Sequence, residues 1–395
     1  MQQNGTPGEV FRVFLKLGLT SFGGPIAHLG YFREEFVQRR GWIGESGYAD
    51  LVALCQFLPG PASSQVGFAI GLLRAGILGA LAAFLAFTLP SAILLVAFAY
   101  GADLFGGPIG NGVLAGLKIV AVAIVAQAVW GMARNLCPDR QRATIALAAV
   151  LVLVWWGGAL GQVGAIVLGG LAGLVWCRSD ASSASTQLGF GITSGVGFGS
   201  LVLFLLLLLA LPLLASGSGW QGLAVFDAFY RSGSLVFGGG HVVLPLLEAE
   251  TVQTGWVSAD TFLAGYGAAQ AMPGPLFTFA AYLGAVLGPE PNGLAGALIA
   301  LIAVFLPGFL LLLGVLPFWD ALRVRPAVQA AMRGTNAAVV GILGAALYDP
   351  VFTSAVVDAP SFALALTCFV LLVVWNAPPW LVVIVSALGG VLILA

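Results

Sequence analysis

Residues 14–25, FLKLGLTSFGGP, and 56–61, QFLPGP, decide the reading of this chain, because both recur, as FYRSGSLVFGGG at 229–240 and QAMPGP at 270–275. A shift of 215 positions sets Phe14, Gly18, Phe22, Gly23 and Gly24 on Phe229, Gly233, Phe237, Gly238 and Gly239, and Lys16 on Arg231. After a slip of one residue, Trp42 meets Trp256, and Gln56 and Gly60 meet Gln270 and Gly274. Farther on, Leu89-Pro90 meets Leu306-Pro307. An ordered series of Gly and Pro positions repeated once per half argues for two copies of one structural unit. The expected division is a first repeat over 1–178, a linker with an extra helix over 179–217, and a second repeat over 218–395.

Composition sets the solvent. Of 395 residues 60% are hydrophobic and only 8% charged, with a mean hydropathy of +1.03. No water-soluble chain of this size could hide so much apolar surface, so the expected fold class is an all-α polytopic membrane protein. The net charge of −1 sums over two faces that a bilayer separates, and so says nothing about partners. Cys55, Cys137, Cys177 and Cys368 lie scattered, without paired or ligand-type spacing. No disulfide framework, metal site or cofactor is expected. Residues 1–10 are polar and lack the parts of a cleaved signal peptide, so the first membrane segment is expected to stay.

The first apolar segment, about 11–31, is interrupted at Phe22-Gly23-Gly24-Pro25, and the second, about 49–73, at Pro59-Gly60-Pro61. Proline removes a backbone donor and disfavours helix in the residue before it, so both segments read as broken. Uninterrupted runs follow at about 76–101, 113–134, 143–158 and 160–177. A Ser-, Thr- and Gly-rich linker leads to a nearly pure Leu run at about 198–216, which has no counterpart in the first half. The second copy has broken segments at about 226–246 and 259–285, then runs at about 295–317, 327–348, 361–376 and 379–395.

Basic residues fix the orientation. If each broken segment dips in and returns to the same face, Arg12, Lys16, Arg33, Arg39, Arg40, Arg74, Arg134, Arg140, Arg142, Arg178, Arg323 and Arg325 share one side. The positive-inside rule makes that side, and with it the N-terminus, cytoplasmic. The other side receives Asp103, Asp227, Glu248, Glu250, Asp260, Glu290, Asp349 and Asp358, with Arg231 alone among the basic residues. Equivalent loops thus carry opposite charge, as two copies inserted in opposite orientations should, with the Leu-rich span supplying the inversion. Glu35 and Glu250 align and read as solvated loop residues, or more sharply as gate or proton-coupling carboxylates.

Inverted repeats with helices broken near the midplane are a recurrent transporter plan, with the breaks marking the substrate site. A half-helix that starts inside the membrane leaves N–H groups unpaired and carries roughly half a positive charge there, which suits an anion. Candidate ligands are Gly60, Ser63 and Ser64 after the first Pro-Gly-Pro, Gly274 and Thr278 after the second, and Gly23, Gly24, Gly238 and Gly239 at the Phe-Gly-Gly breaks, with Gln56 and Gln270 before the prolines. Lys118, Arg231 and Arg333 lie inside or at the edge of apolar runs, where a functional role is the default reading. Lys118 aligns with Asn336, one turn beyond Arg333, so both halves are expected to bring cation and amide donors near the breaks. No comparable set of intramembrane carboxylates is apparent. Pro90 and Pro307 read as kinks, and His28 and His241, which do not align, as packed side chains, with pH sensing the sharper reading for His241.

At these same elements, Phe22 to Pro25, Gln56 to Pro61, Phe237 to Gly240 and Gln270 to Pro275, the chain resembles a full-length, two-domain member of the chromate ion transporter family. The resemblance implies export of chromate, with sulfate as the look-alike dianion, across the bacterial inner membrane, and hence chromate resistance. It further implies that the glycine and Pro-Gly-Pro elements serve transport. Gly240 in place of Pro25 is a departure from the first half. A passive or less selective anion channel and a membrane-embedded enzyme are the alternatives. The expected partners are the oxyanion and the lipid bilayer, with no nucleic acid, and a homodimer stays open.

Overall fold

The computed structural model describes residues 5–101, 107–178, 190–237, 240–322 and 325–394. Gly238 and Gly239 among the candidate ligands, and Asp103 and Arg323 among the charges, lie outside the described residues. Every regular element among the described residues is helical. Six helices are long and apolar enough to cross a membrane. The chain is a multi-pass, all-α membrane protein, as its composition requires.

Helix α1 (Pro7–Thr20) starts where Thr6 accepts the Glu9 N–H at 3.2 Å and Pro7 supplies a ready-made φ. Its apolar stripe of Val10, Val13, Phe14 and Leu17 is buried. The helix stops at Ser21, and Gly23 and Gly24 take φ of +99° and +77°, a conformation glycine enters without steric cost. Helix α2 (Gly24–Phe32) then leaves and widens into a π-turn over Arg33–Arg39. Helix α3 (Glu45–Phe57) ends because Pro59 holds Leu58 extended. The chain passes Gly60 at φ +121° and enters α4 (Ala62–Gly101).

Helix α4 is really two helices, broken at Ala75 and Gly76, where φ reaches +65° at the glycine. Gly71 and Gly79 touch backbone to backbone across the turn, which makes the pair a hairpin. Arg74, at its tip, pairs with Glu9 at 3.2 Å and sits 5.0 Å over the ring of Trp42. Trp42 in turn stacks on Phe36, 5.0 Å away. The start of α1, the return of α2, the entry of α3 and the exit of the first part of α4 therefore meet on one face. Both broken segments thus have their two ends beside one another.

Helices α5 (Gly107–Leu136), α6 (Arg140–Trp155), α7 (Gly158–Trp176) and α8 (Ser194–Ser218) follow. Leu203, Leu206, Leu209 and Leu213 leave α8 largely exposed, as a lipid-facing helix would be. Next come α9 (Gln221–Ser234), a one-turn segment Gly240–Val242, α10 (Val243–Thr251), α11 (Ala259–Ala271), a second one-turn segment Leu276–Thr278 and α12 (Phe279–Ala285). The chain ends with α13 (Gly293–Val315), α14 (Trp319–Leu322), α15 (Pro326–Ala346), α16 (Thr353–Ala355), α17 (Ala359–Val373) and α18 (Pro379–Leu394).

Glycines set the packing. Helix α1 lies on the second part of α4 through Gly18, against the carbonyls of Ala86 and Phe87, and α9 lies on α13 through Gly233, against Val304. Farther out the partners are exchanged between halves. Helix α5 packs on α18 at Gly112, Gly116 and Gly390, while α7 packs on α15 at Gly169, Gly173 and Gly334. Without side chains in between, such pairs approach closely enough for dispersion alone to hold them in lipid.

Candidate functional site at the helix breaks

The two Pro-Gly-Pro breaks are held by the opposite half of the chain. Gly60 donates its N–H to the carbonyl of Val236 at 2.8 Å, and Gly274 donates to Ser21 at 2.9 Å. Ser21 and Val236 are the positions that the 215-residue shift superposes. Each glycine also fits against a proline-bearing helix of the other half, and a Cβ on either would collide there. On Gly60 it would lie 3.0 Å from Cα of Gly308, and on Gly274 2.9 Å from Oγ of Ser91. Gln65 fastens the first break by donating to Pro59 and Gly308 at 3.0 and 2.9 Å.

Around this crossing lie polar groups that the protein itself does not satisfy. His28, one turn into α2, packs on the ring of Phe87 and sets Nδ1 3.4 Å from Ser63 Oγ. Its Nε2, together with Oγ of Ser21, Oγ of Ser64 and Oγ1 of Thr88, is buried without a hydrogen-bond partner. Each such group costs on the order of 1–3 kcal/mol, so their concentration in linked segments marks a place kept polar for a reason. All four can donate a hydrogen bond. Free N–H groups at the first turn of α4 point the same way, with Ser63 and Ser64 in that turn. From the second half, His241 brings Nε2 to 4.0 Å from where a Cβ of Gly24 would stand, and its Nδ1 meets Tyr266 Oη at 2.7 Å. Gly240 packs on the ring of Pro25, which accounts for that difference between halves, since two prolines could not share the space.

Of the expected ligands, Gly24, Gly60, Ser63, Ser64 and Gly274 come together here, and Gly23 caps α2 beside them. Thr278 is buried and turned inward, donating to Pro275 at 2.7 Å. Gln270 ends α11 just before its break with Nε2 buried and unpartnered, whereas Gln56 is exposed on α3. His28, Thr88 and Ser21 were not read as site residues. Their signal is contextual: a lone His or Thr in an apolar run becomes informative only when other polar groups are seen to face it.

The cations meet partners within the protein. Lys118 pairs with Asp260 at 3.0 Å, and that carboxylate is 70% exposed. Arg333 donates to the Gln329 side chain on its own helix at 3.1 Å. Asn336 stands one turn farther along α15 with Oδ1 buried and unpartnered. A long cationic side chain reaches the nearest polar level instead of staying in lipid, which the sequence numbers alone do not reveal. Arg231 is part-buried and engaged by two carboxylates. It is clamped by Asp227 at 2.9 Å and Glu250 at 2.7 Å.

Buried carboxylates also exist where none was expected. Asp227, Glu248 and Glu250 are buried in the second half, and Glu35 in the first, where it takes Arg40 at 2.6 Å and Arg39 at 3.1 Å. The reading of Glu35 and Glu250 as solvated loop residues is therefore corrected: their charge is masked by pairing. Among the described residues, no group of three His, Cys, Asp or Glu side chains could hold a metal.

The family model for chromate transporters matches the chain twice, over residues 8–174 and 223–391. The chain belongs to the chromate transporter family. Its two matched stretches contain all four broken segments. Among relatives, the chromate transport protein of Pseudomonas aeruginosa is 28% identical, covering 96% of this chain and 90% of that protein. A probable chromate transport protein of Synechococcus elongatus is 27% identical over 97% and 95% respectively. The chromate transport protein of Cupriavidus metallidurans is 28% identical over 92% and 87%. No solved structure matches. This family is one of transporters.

Proposed function

We propose that this member of the chromate transporter family is a secondary transporter that exports chromate, or a sulfate-like dianion, from the cytoplasm across the inner membrane. The observation that carries the reading is the crossing of Gly60 with Val236 and of Gly274 with Ser21, ringed by the unpartnered groups of Ser21, His28, Ser64 and Thr88. A tetrahedral oxyanion accepts hydrogen bonds on every side, and this ring offers donors without a fixed cation that would hold the ion too tightly to release it. The names of the relatives support chromate as the substrate.

The two halves act as inverted copies, a reading supported by the doubled family match and by hydrogen bonds that exchange equivalent positions. The face bearing Arg33, Arg39, Arg40 and Arg74 is cytoplasmic, and the N-terminus with it. A dianion leaving a negative-inside cell gains about 2.3 kcal/mol per charge per 100 mV, so voltage favours export and resistance follows from it.

The test is uptake of labelled chromate into inverted membrane vesicles, with voltage and pH gradient imposed separately and sulfate as competitor. Accumulation against a gradient is expected. Movement of another anion in place of chromate overturns the substrate; movement only down its own gradient favours the channel; no movement of any anion overturns transport.

A further inference from the structure

We propose that α3 docks onto α15 and α7 in a second arrangement of the molecule, as α11 docks onto α5 and α18 in the arrangement seen here. The inference rests on the reading of the chain as a transporter with two equivalent halves. Equivalent elements have unequal surroundings. Helix α11 is buried from Phe262 to Ala269, and its Gly267 lies directly against the carbonyl of Leu117 on α5. Lys118 and Asp260 pair at the outer end of that contact. Neighbouring α10 packs on α7 and α15 as well, so the second-half breaks are seated on the outer helices.

Helix α3 has no such seat. Its broad contacts are with α4 and the π-turn before it. Ser46, Ala49, Ala53 and Gln56 are exposed along one face, with Asp50 beside them. Three of these five are polar, and polar side chains at membrane depth line water or protein, not lipid. The same shifts that pair the halves set Ala53 on Gly267 and Ser46 on Asp260, and on the facing helix Thr335 on Leu117 and Asn336 on Lys118. Ala49 and Ala53 keep the face of α3 smooth enough for the close approach that Gly267 makes. Asn336 keeps Oδ1 buried and unpartnered at the position where a docked Ser46 would arrive.

The consequence is directional. Gln270, near the end of α11, keeps Nε2 buried, while Gln56, its counterpart on α3, is exposed. In the proposed cycle this arrangement is the one with the breaks uncovered on the α3 side and covered on the α11 side. Docking α3 and releasing α11 reverses both. The paired hydrogen bonds at the two breaks let the inner helices move as one body, because each break is tied to the opposite half within that body.

Paired cysteines in membranes containing the full-length protein test this. Lys118→Cys with Asp260→Cys joins side chains that touch in the structure, and its oxidation reports a folded chain. Ala53→Cys with Thr335→Cys is expected to oxidise as well, with transport falling at least tenfold and returning with reductant; the joined peptides are identified by mass to set aside the native cysteines. Oxidation of the first pair, with the second pair staying reduced in the presence and absence of chromate, overturns the proposal. A second pair that oxidises in a chain that moves no chromate still supports docking and instead counts against the substrate.

Discussion

Gly60 donates its backbone N–H to the carbonyl of Val236 at 2.8 Å, from one half of the chain to the other. The matching bond from Gly274 to Ser21 makes the relationship mutual. Each break thus places one backbone N–H on a carbonyl of the break that the other half sets opposite it, while the N–H groups of the first turn of α4 stay free.

Glycine is therefore required at these positions twice over. Gly60→Ala and Gly274→Ala force a side chain into φ of +121° and +99°, at a cost of about 1–3 kcal/mol before any collision. Both should lower the thermal stability of purified protein and abolish chromate uptake. Gly8→Ala, inside α1 with open space around it, should be neutral or stabilise by up to about 1 kcal/mol. Equal behaviour of all three would count against the tight crossing.

Ser63→Ala and Ser64→Ala remove hydroxyls from the first turn of α4. A hydrogen bond to a charged ligand is worth about 1.5–3 kcal/mol, so each change should raise the KM for chromate about tenfold or more with melting temperature unchanged. Unaltered KM in both variants would place the ion elsewhere.

Arg231→Gln leaves Asp227 and Glu250 buried together without their cation. The expected result is a loss of about 3 kcal/mol in stability, seen as poor membrane yield. Glu250→Gln combined with Arg231→Gln should recover part of it. A stable Arg231→Gln protein defective only in chromate affinity would return this arginine to the binding site.

Lys118→Met breaks a pair whose carboxylate is mostly in solvent. Stability should change by less than about 1 kcal/mol, and uptake should persist. Loss of uptake in a well-folded Lys118→Met protein would show that the lysine serves the ion after all.

The backbone plan was legible because it is written in residues with few alternative uses. Pro59, Gly60 and Pro61 can hardly sit in a straight helix, and Arg74 followed by Gly76 marks the tip of a hairpin. The apolar runs fall on the helices for the same reason, since a bilayer admits little else. Side-chain partnerships were not legible. Nothing near Arg231 in the sequence says that Glu250 returns to meet it, and nothing near Lys118 names Asp260, 142 positions away. Charge in an apolar run announces that a partner exists without saying whether it is a ligand or a carboxylate. The unpartnered hydroxyls of Ser21 and Thr88 gave no signal at all, because satisfaction is a property of neighbours and not of residue type.

The exchange of partners between α5 and α18, and between α7 and α15, bears on how the chain is made. As the ribosome extends it, α5 enters the bilayer with Gly112 and Gly116 bare, and the residues that cover them, Ser386 to Val391, follow only later, Ser386 lying 270 positions beyond Gly116. The first half thus waits, inserted but unclosed, until the second has been threaded beside it. A nascent chain stalled before α18 would present a small-residue groove ready to be taken by the wrong helix.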